Sequence, residues 1–357
     1  CRLLAAVWLC ACGPEAASTS TCYAPVPYAY RGEVRQLGSL PRGTDGALAL
    51  PDGRVVVHVV ELDEQWQPWS SFYRFDPSTG AREVIAERVD WIGPMTRLRD
   101  GRVFGFSRWA QCRYVLFEPD RPGSLVSRTC ALESPDDGIS VELIRQGPDG
   151  DVLLFGDFFR GGNHRTPTVF ALDLGSGAIE RLDTSAEHGF LRPPSAPFSL
   201  CDGRLVFPHT EVDGGDYYDD ARAVHYYDPK TRQLSTLELP MAPIFAAQLD
   251  ASTALLIGDE DDAPGAVLLD LETQTFTEVP GPPARMTGLY GNDALVGLAD
   301  GTALAVADGG AIFIFDPKRG QFTESPARFA DAPQVLVRLP AGPVVRIGNE
   351  GTVEIYE

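Results

Sequence analysis

Aromatic side chains that could stack on a ligand are concentrated in one part of the chain. Four of the five tryptophans and a pair of phenylalanines fall between residues 66 and 159, in segments that read as loops. They are Trp66, Trp69, Trp91, Trp109, Phe158 and Phe159. Clustered exposed rings form platforms for sugar rings or peptides. Large aromatic residues are also mostly buried, so packing of the loops against one another is the alternative role of these rings.

Acidic residues crowd two later segments, where their oxygen atoms could ligate a hard cation. They are Glu211, Asp213, Asp216, Asp219, Asp220, Asp259, Glu260, Asp261 and Asp262. Calcium prefers such oxygen ligands, although the spacing fits no EF-hand loop. Two interpretations follow: a calcium site at Asp213, Asp216, Asp219 and Asp220, or a solvated acidic rim. The sequence predicts no cofactor besides this candidate calcium ion.

The element that positions these segments is a strand running into a tight turn, and it recurs along the chain. Six copies end in an acidic residue, namely Asp76, Glu118, Asp173, Asp228, Asp270 and Asp316, as in FYRFDP and IFIFDP. Asp can bond its own backbone, Pro presets φ and a following Gly closes the turn, so these are hairpin turns. Upstream of most copies, two apolar strands are joined by a turn containing DG, as in ALALPDGRVVVHVV. Two hairpins per repeat predict four antiparallel strands.

The spacing of the repeats predicts the fold. Successive copies lie 42 to 55 residues apart, close to the period of roughly 40 to 50 residues that is typical of β-propeller blades. The chain ends after three strands of a last unit, and GEVRQL (32–37) resembles the outer strand GAIERL (177–182). A first strand that completes the last blade removes both sheet edges. We therefore predict an all-β, seven-bladed propeller of four-stranded antiparallel blades over residues 32–357.

The repeats also resemble a known family. LPDGRVVVHVV and FYRFDPSTGAREV are similar to the bacterial kelch repeat, the unit of the galactose oxidase propeller, although the kelch Gly-Gly doublet and outer-strand Trp are missing. VFALDLGSGAIERL also resembles repeats of quinoprotein dehydrogenases. Either resemblance implies the fold and leaves the function open. Galactose oxidase holds copper with His, Tyr and a cross-linked Cys. The matching types here are His164, His209, Tyr217 and Tyr218, without a Cys, and we keep them as ligand-binding candidates.

The first residues predict export from a bacterial cell. Residues 1–12 carry one Arg, a short apolar run and a small residue before Cys12, the layout of a secretory signal peptide. LCAC (9–12) resembles the lipobox of bacterial lipoproteins, so Cys12 is the predicted lipidation site and residues 13–31 a tether. An ordinary cleaved signal and an apolar arm are the alternatives.

The cysteine positions fit an oxidising compartment. Cys112 and Cys130 should lie opposite each other in the second hairpin of one blade, which predicts a disulfide. Cys22 and Cys201 are a second candidate pair, because both are expected on the same face of the ring.

The two faces of the predicted disc differ. Numbering strands a to d from the axis outward, the a–b and c–d turns occupy one face, which we call the turn face. The b–c loops and d–a crossovers occupy the other, the loop face. The aromatic and acidic segments fall on the loop face, where loop length varies, and binding residues concentrate in such loops.

The leading hypothesis is an exported cell-envelope module, attached to the membrane only through a lipid anchor, that binds a glycan or protein partner. The net charge of −20 with only two lysines argues against a nucleic acid partner. The first alternative is an exported enzyme acting on carbohydrate through acidic loop residues, since glycosidase carboxylates need no local motif. The second is a structural subunit of a surface assembly. No Ser, His and Asp set is recognisable in the sequence.

Overall fold

The strands form seven four-stranded antiparallel sheets in the described part of the chain. The computed structural model describes residues 28–107, 112–132, 137–147, 149–160, 164–182, 198–200, 202–211, 219–260, 263–286, 294–348 and 350–357. In six sheets the four strands follow one another in the chain. The seventh takes its outer strand from the N-terminal side, in the order β1-β28-β27-β26.

Blades one to three contain β2 (Thr44–Ala49), β3 (Val55–Leu62), β4 (Pro68–Phe75), β5 (Arg82–Asp90), β6 (Ile92–Arg97), β7 (Val103–Ser107), β8 (Arg113–Phe117), β9 (Val126–Thr129), β10 (Asp137–Gln146), β11 (Val152–Arg160), β12 (His164–Leu172) and β13 (Ile179–Leu182). Blades four and five contain β14 (Phe198–Ser199), β15 (Leu205–Glu211), β16 (Asp219–Asp228), β17 (Gln233–Glu238), β18 (Ala242–Gln248), β19 (Thr253–Glu260), β20 (Ala263–Asp270) and β21 (Thr275–Pro280). Blades six and seven contain β22 (Leu295–Gly297), β23 (Ala303–Val306), a 3₁₀ turn (Asp308–Gly310), β24 (Ala311–Asp316), β25 (Gln321–Arg328), β26 (Pro333–Arg338), β27 (Val344–Gly348), β28 (Thr352–Tyr356) and β1 (Val34–Ser39).

The blades are arranged in a ring around an axis lined by their inner strands. Inner strands of neighbouring blades contact each other, as seen for β26 with β2, β2 with β6, β6 with β10, β18 with β22, and β22 with β26. The predicted all-β, seven-bladed propeller is therefore confirmed.

The predicted turn chemistry accounts for the hairpins. Asp76 accepts hydrogen bonds on Oδ1 from the backbone N–H of Ser78 (2.8 Å) and from its hydroxyl (2.6 Å). Gly80 closes the same turn at φ +73°, and Gly53 occupies the left-handed region in the β2–β3 turn at φ +86°. These conformations favour glycine because it has no Cβ to clash. Each blade is thus built from two locally specified hairpins.

The hydrophobic core is divided into seven layers, each between two neighbouring blades. Residues of blades one and two form one layer, with Phe72, Ile92 and Phe117 at its centre. Blades seven and one share another, and blades six and seven a third. The remaining pairs of neighbours are joined in the same way. Because every blade depends on both neighbours for burial, the closure between blades six, seven and one matters to the whole ring.

The N-terminal strand closes the ring as predicted, with its bounds shifted slightly. β1 pairs with β28 from Val34 opposite Tyr356 to Ser39 opposite Thr352, with a bulge near Gly38. Just before it, the hydroxyl of Tyr30 donates to the Gly342 carbonyl (2.6 Å) and accepts from the Ala299 N–H (3.0 Å). Gly342 and Ala299 belong to the a–b turns of blades seven and six. The chain therefore reaches the ring on its turn face.

A disulfide joins Cys112 and Cys130, the pair expected from hairpin register. Their Cα atoms lie 5.3 Å apart, and the Cys130 N–H donates to the Cys112 carbonyl (2.8 Å). Both residues are buried in the layer between blades two and three. The bond therefore joins the two strands of the outer hairpin of blade two at one end, beside blade three. In the described residues, no helix has the length and apolar character needed to cross a membrane.

Candidate functional site on the loop face of blade one

The β3–β4 loop of blade one is a tight turn organised by Asp63. Asp63 Oδ1 accepts the backbone N–H groups of Gln65 (2.9 Å) and Gln67 (2.8 Å), and Oδ2 accepts the Trp69 indole N–H (3.2 Å). The Asp63 carbonyl also accepts the Trp66 N–H (3.0 Å), and the Asp63 N–H donates to the Gln67 carbonyl (3.0 Å). Hydrogen bonding, first from the Gln67 N–H, lowers the pKa of Asp63 below its usual value. One charged side chain therefore fixes the whole turn.

Trp66 stands at the tip of this turn and points to solvent. Its side chain is 78% exposed, the highest value among the exposed large hydrophobic residues of the described chain, and its φ is +62°. A bulky residue in the left-handed region is strained, so the surrounding hydrogen bonds must hold it there. Exposed polar side chains flank it at Glu64, Gln65 and Gln67. The result is an aromatic ring displayed on a rigid support with a hydrogen-bonding fringe.

The other predicted tryptophans occupy different settings. Trp69 lies within β4 rather than in the loop, is half-buried, and sits between Glu61 and Asp90 in the sheet. Trp91 lies between β5 and β6 and is half-buried. Trp109 lies outside the described residues. Only Trp66 therefore matches the predicted open platform among the three tryptophans that are described.

The predicted aromatic loop of blade three is mostly strand, which corrects the placement of three residues. Phe158 and Phe159 lie in β11 and His164 begins β12, with Arg160 paired opposite His164. The ring of Phe158 is half-buried, 6.1 Å from the Phe170 ring and 5.2 Å beneath the Arg181 guanidinium. Pairing continues past the end of the apolar pattern, so the hairpin is longer and the loop shorter than the sequence suggested. Phe158 therefore packs against Phe170 of its own blade and against the layer between blades two and three.

The predicted acidic and histidine-rich sites are only partly covered by the structure. His209 lies in β15, and Asp219 and Asp220 begin β16. The other residues predicted for ligand binding, calcium, lipidation or the second disulfide lie outside the described residues, namely Tyr217, Tyr218, Asp213, Asp216, Cys12, Cys22 and Cys201. Within the described ranges, no group of three or more His, Cys, Asp or Glu residues is arranged to hold a metal ion. The calcium site stays a prediction.

A polar chain that the sequence analysis missed runs through the inner half of blade one. His58 Nε2 lies 2.7 Å from Ser70 Oγ, and its Nδ1 lies 3.7 Å from Asp45 Oδ2. Ser70 Oγ also accepts the backbone N–H of Ile92 (2.8 Å), the first residue of blade two. Because these residues come from strands β2, β3 and β4, no local motif marks them. The signal available was a histidine and a serine in strands that are otherwise apolar.

Asp45, His58 and Ser70 follow one another in the order of a serine hydrolase triad, but the serine and the histidine cannot be reached by a ligand. His58 and Ser70 are both fully buried, so the Ser70 hydroxyl cannot reach a substrate from solvent. Asp45, at a bulge of the inner strand β2, is exposed at the loop-face end of the axis. These polar contacts join blade one to blade two. Asp45 is the one residue of the three that a ligand could touch.

Comparison with known proteins supports the fold. No protein-family model matches the sequence, and no curated protein matches it. Solved structures do match, among them one described as "Streptogramin B lyase structure", with a TM-score of 0.60 and 13% identity. The match covers 91% of this chain and 97% of that chain. At this identity the likeness concerns architecture alone. The chain is thus similar in fold to that structure over nearly its whole length.

Proposed function

We propose that the protein is an exported binding module whose loop face holds a glycan on the indole ring of Trp66. The observation that supports this most strongly is the display of an exposed, strained tryptophan on a turn that Asp63 keeps rigid. A propeller is consistent with such a binding or scaffold role. Tryptophan is enriched at binding interfaces because its ring supplies a large apolar contact area and its indole N–H a hydrogen bond.

The chemistry around Trp66 favours a sugar over a flat apolar partner. A pyranose ring presents C–H groups to an aromatic face and hydroxyl groups around its rim. Glu64 can accept hydrogen bonds from hydroxyl groups, and the amides of Gln65 and Gln67 can both donate and accept. Because the turn is already ordered, binding costs little conformational entropy.

The attachment of the chain to the ring is consistent with a lipid anchor that leaves the loop face accessible. Tyr30 contacts the a–b turns of blades six and seven through Gly342 and Ala299, on the turn face. A tether arriving there from a lipidated Cys12 would place the turn face toward the membrane. The loop face and Trp66 would then point outward, toward envelope glycans.

The test is a titration of the full chain with soluble oligosaccharides, followed by tryptophan emission and calorimetry. Suitable probes are tetramers of N-acetylglucosamine, maltose-type glucose and β-1,3-linked glucose. We expect one of them to shift the emission and to bind at least roughly tenfold more weakly to Trp66→Ala. Phe276→Ala removes an exposed aromatic ring from β21 and serves as the matched control. Equal binding by Trp66→Ala, or no binding of any of the three probes, contradicts the proposal.

A carbohydrate-active enzyme is the second candidate, supported by the exposed carboxylate of Asp45 with His58 behind it. Such a carboxylate could act as a general base toward a ligand on the loop face. Reducing-end release from the same oligosaccharides separates the two functions. Turnover by the parent protein that is lost in Asp45→Asn supports the enzyme, whereas binding without turnover supports the module.

A further inference from the structure

Four residues other than glycine adopt a positive φ in the described part of the chain, namely Trp66, Arg88, Arg232 and Gln274. Arg232 and Gln274 occupy the c–d turn position that glycine fills in other blades, as Gly80 does in blade one. Their conformation therefore belongs to the repeat. Trp66 (+62°) and Arg88 (+52°) have no such explanation, and both lie in blade one. Strained residues of this kind are frequent at ligand sites.

A β-bulge in the outer strand β5 accounts for the conformation of Arg88. The register of β5 against β4 shifts at this point, so Glu87 and Arg88 together face the single residue Ser71. The Arg88 N–H donates to the Ser71 hydroxyl oxygen (3.5 Å), and that hydroxyl donates to Glu61 Oε2 (3.1 Å). A bulge redirects a side chain of the strand that contains it, and bulges are over-represented beside functional sites.

The guanidinium of Arg88 is available to a ligand. Each of the other three arginines of blade one, Arg54, Arg74 and Arg82, donates from its guanidinium to a carboxylate or carbonyl oxygen. Arg88 is exposed, and no hydrogen bond or ion pair of its guanidinium is seen among the described residues. Its N–H donors therefore keep the planar fork that matches a carboxylate.

Asp63 connects Arg88 to the turn that carries Trp66. Trp69 lies opposite Asp90, two residues beyond Arg88 in β5, and its indole N–H donates to Asp63 Oδ2 (3.2 Å). A backbone hydrogen bond is the largest cause of the lowered pKa of Asp63, and the positive charge of Arg88 contributes to it. The Asp63 carbonyl accepts the Trp66 N–H (3.0 Å). Trp66 and Arg88 are therefore both neighbours of Asp63.

The separation of Trp66 and Arg88 suits a single oligosaccharide. Trp66 lies three residues before Trp69, and Trp69 is the diagonal neighbour of Arg88 across β4 and β5. Three extended residues span at most about 11 Å, and diagonal neighbours in a sheet lie about 7–8 Å apart. The two Cα atoms are therefore within about 19 Å of each other, a distance that a chain of about four sugar rings covers.

We infer that the glycan held on Trp66 is acidic and that the guanidinium of Arg88 binds its carboxylate. This inference rests on the proposed function, because it identifies the class of sugar that the same site holds. Paired, charged N–H donors bind a carboxylate more strongly than neutral donors bind a hydroxyl group. The net charge of −20 repels an anionic ligand at long range, but salt at about 0.15 M screens charges more than about 8 Å apart.

The test compares neutral and acidic tetramers by calorimetry with the full chain in about 0.15 M salt. The neutral probe is the tetramer of N-acetylglucosamine. One acidic probe alternates N-acetylglucosamine with N-acetylmuramic acid, which keeps the linkage and adds lactyl carboxylates, and the other is the hyaluronan tetramer, which has ring carboxylates. We expect at least one acidic probe to bind roughly tenfold more tightly than the neutral one.

Two variants separate the charge of Arg88 from its backbone conformation. Arg88→Gln removes the charge, and Arg88→Gly removes it while relieving the positive φ, so the second variant should fold as the parent does. Both should bind the acidic probe about as weakly as the neutral one. Arg121→Gln is the matched control, because Arg121 is an exposed arginine in the β8–β9 turn on the opposite face. It should keep the preference of the parent.

The inference and the proposed function fail in different ways. Equal binding of neutral and acidic probes by the parent overturns the inference and leaves the proposed function standing, provided that Trp66→Ala weakens both. An acidic preference that both Arg88 variants keep also overturns the inference alone. Absence of binding for every probe contradicts both.

Discussion

Val34 lies opposite Tyr356 in the sheet of blade seven, so the first described strand closes the ring against the last. Deleting β1 should expose the edge of β28 and one side of the layer between blades six and seven. With the half-buried side chains of Val34 and Leu37 and several ladder hydrogen bonds lost, the destabilisation should reach about 5 kcal/mol, or roughly 10 °C in melting temperature.

Thermal unfolding of two truncations tests this closure. A chain that begins at residue 28 keeps β1, whereas one that begins at residue 40 lacks it. We expect the first to melt with the parent and the second to melt earlier and to be cleaved faster by protease. Equal stability of the two would mean that β1 does not lock the ring.

The Tyr30 hydroxyl connects the turns of blades six and seven to the closing segment. Tyr30→Phe keeps the ring, which stacks on Tyr356 at 5.7 Å, and removes both hydrogen bonds of the hydroxyl. The partner groups at Gly342 and Ala299 then lose a bond each, and we expect a loss of about 1–3 kcal/mol in urea denaturation. Tyr28→Phe is the control, since no hydrogen bond of its hydroxyl is seen in the described residues. A loss as large in the control would assign the effect to ring packing instead.

Lowering the pH should loosen the turn that carries Trp66, because it protonates Asp63. The pKa of Asp63 is lowered in the folded protein, so its contribution is fully present above the unfolded value of about 4 and is lost as the pH falls through the folded value. In protein labelled with fluorotryptophan, the Trp66 resonance should stay broad from pH 7 to about 4 and sharpen below. Asp63→Asn removes the titrating group, so its Trp66 signal should depend little on pH. A pH response identical to that of the parent would exclude Asp63 as the cause.

The ring was predictable because its determinants are local. The hairpin at Asp76 and Gly80 specifies its own turn, and the same pattern in other blades gives the blade count. Cys112 and Cys130 could be paired for the same reason, since the register of a hairpin follows from its turn. Closure by residues 32–37 was visible because an outer strand resembles its equivalents.

The polar contacts could not be predicted because they join residues that are distant in sequence. Asp45, His58 and Ser70 meet only after three strands are paired in register, with a bulge in β2 at Asp45. The ends of the β11–β12 loop could not be predicted from the sequence either, because the backbone pairing of β11 and β12 continues past the apolar residues to Arg160 and His164. Apolar alternation marks the core of a strand but not the residue at which its ladder ends.

Arg346 is a second polar residue at a strand position that is apolar in other blades. It lies fully buried in β27, where the register places Val57, Leu154 and Leu256 in other blades. Its guanidinium donates to Glu354 Oε2 (2.6 Å) and to the Ala332 carbonyl (2.9 Å), and it pairs with Asp331. These contacts tie the blade six–seven crossover to the last strand of the chain.

Removing one partner of this buried ion pair should lower the free energy of unfolding far more than removing one partner of an exposed ion pair. Glu354→Ala leaves the Arg346 charge buried with less compensation, and we expect a loss of about 3–5 kcal/mol. Glu357→Ala removes the exposed pair with Arg35, 3.3 Å apart in the same blade, and should cost less than about 1 kcal/mol. Replacing Arg346 and Glu354 together with Met and Leu should recover most of the stability, because an apolar pair needs no compensation. Urea denaturation at pH 7 measures all three. If the single and double replacements are equally destabilised, Arg346 stabilises the closure through packing rather than charge.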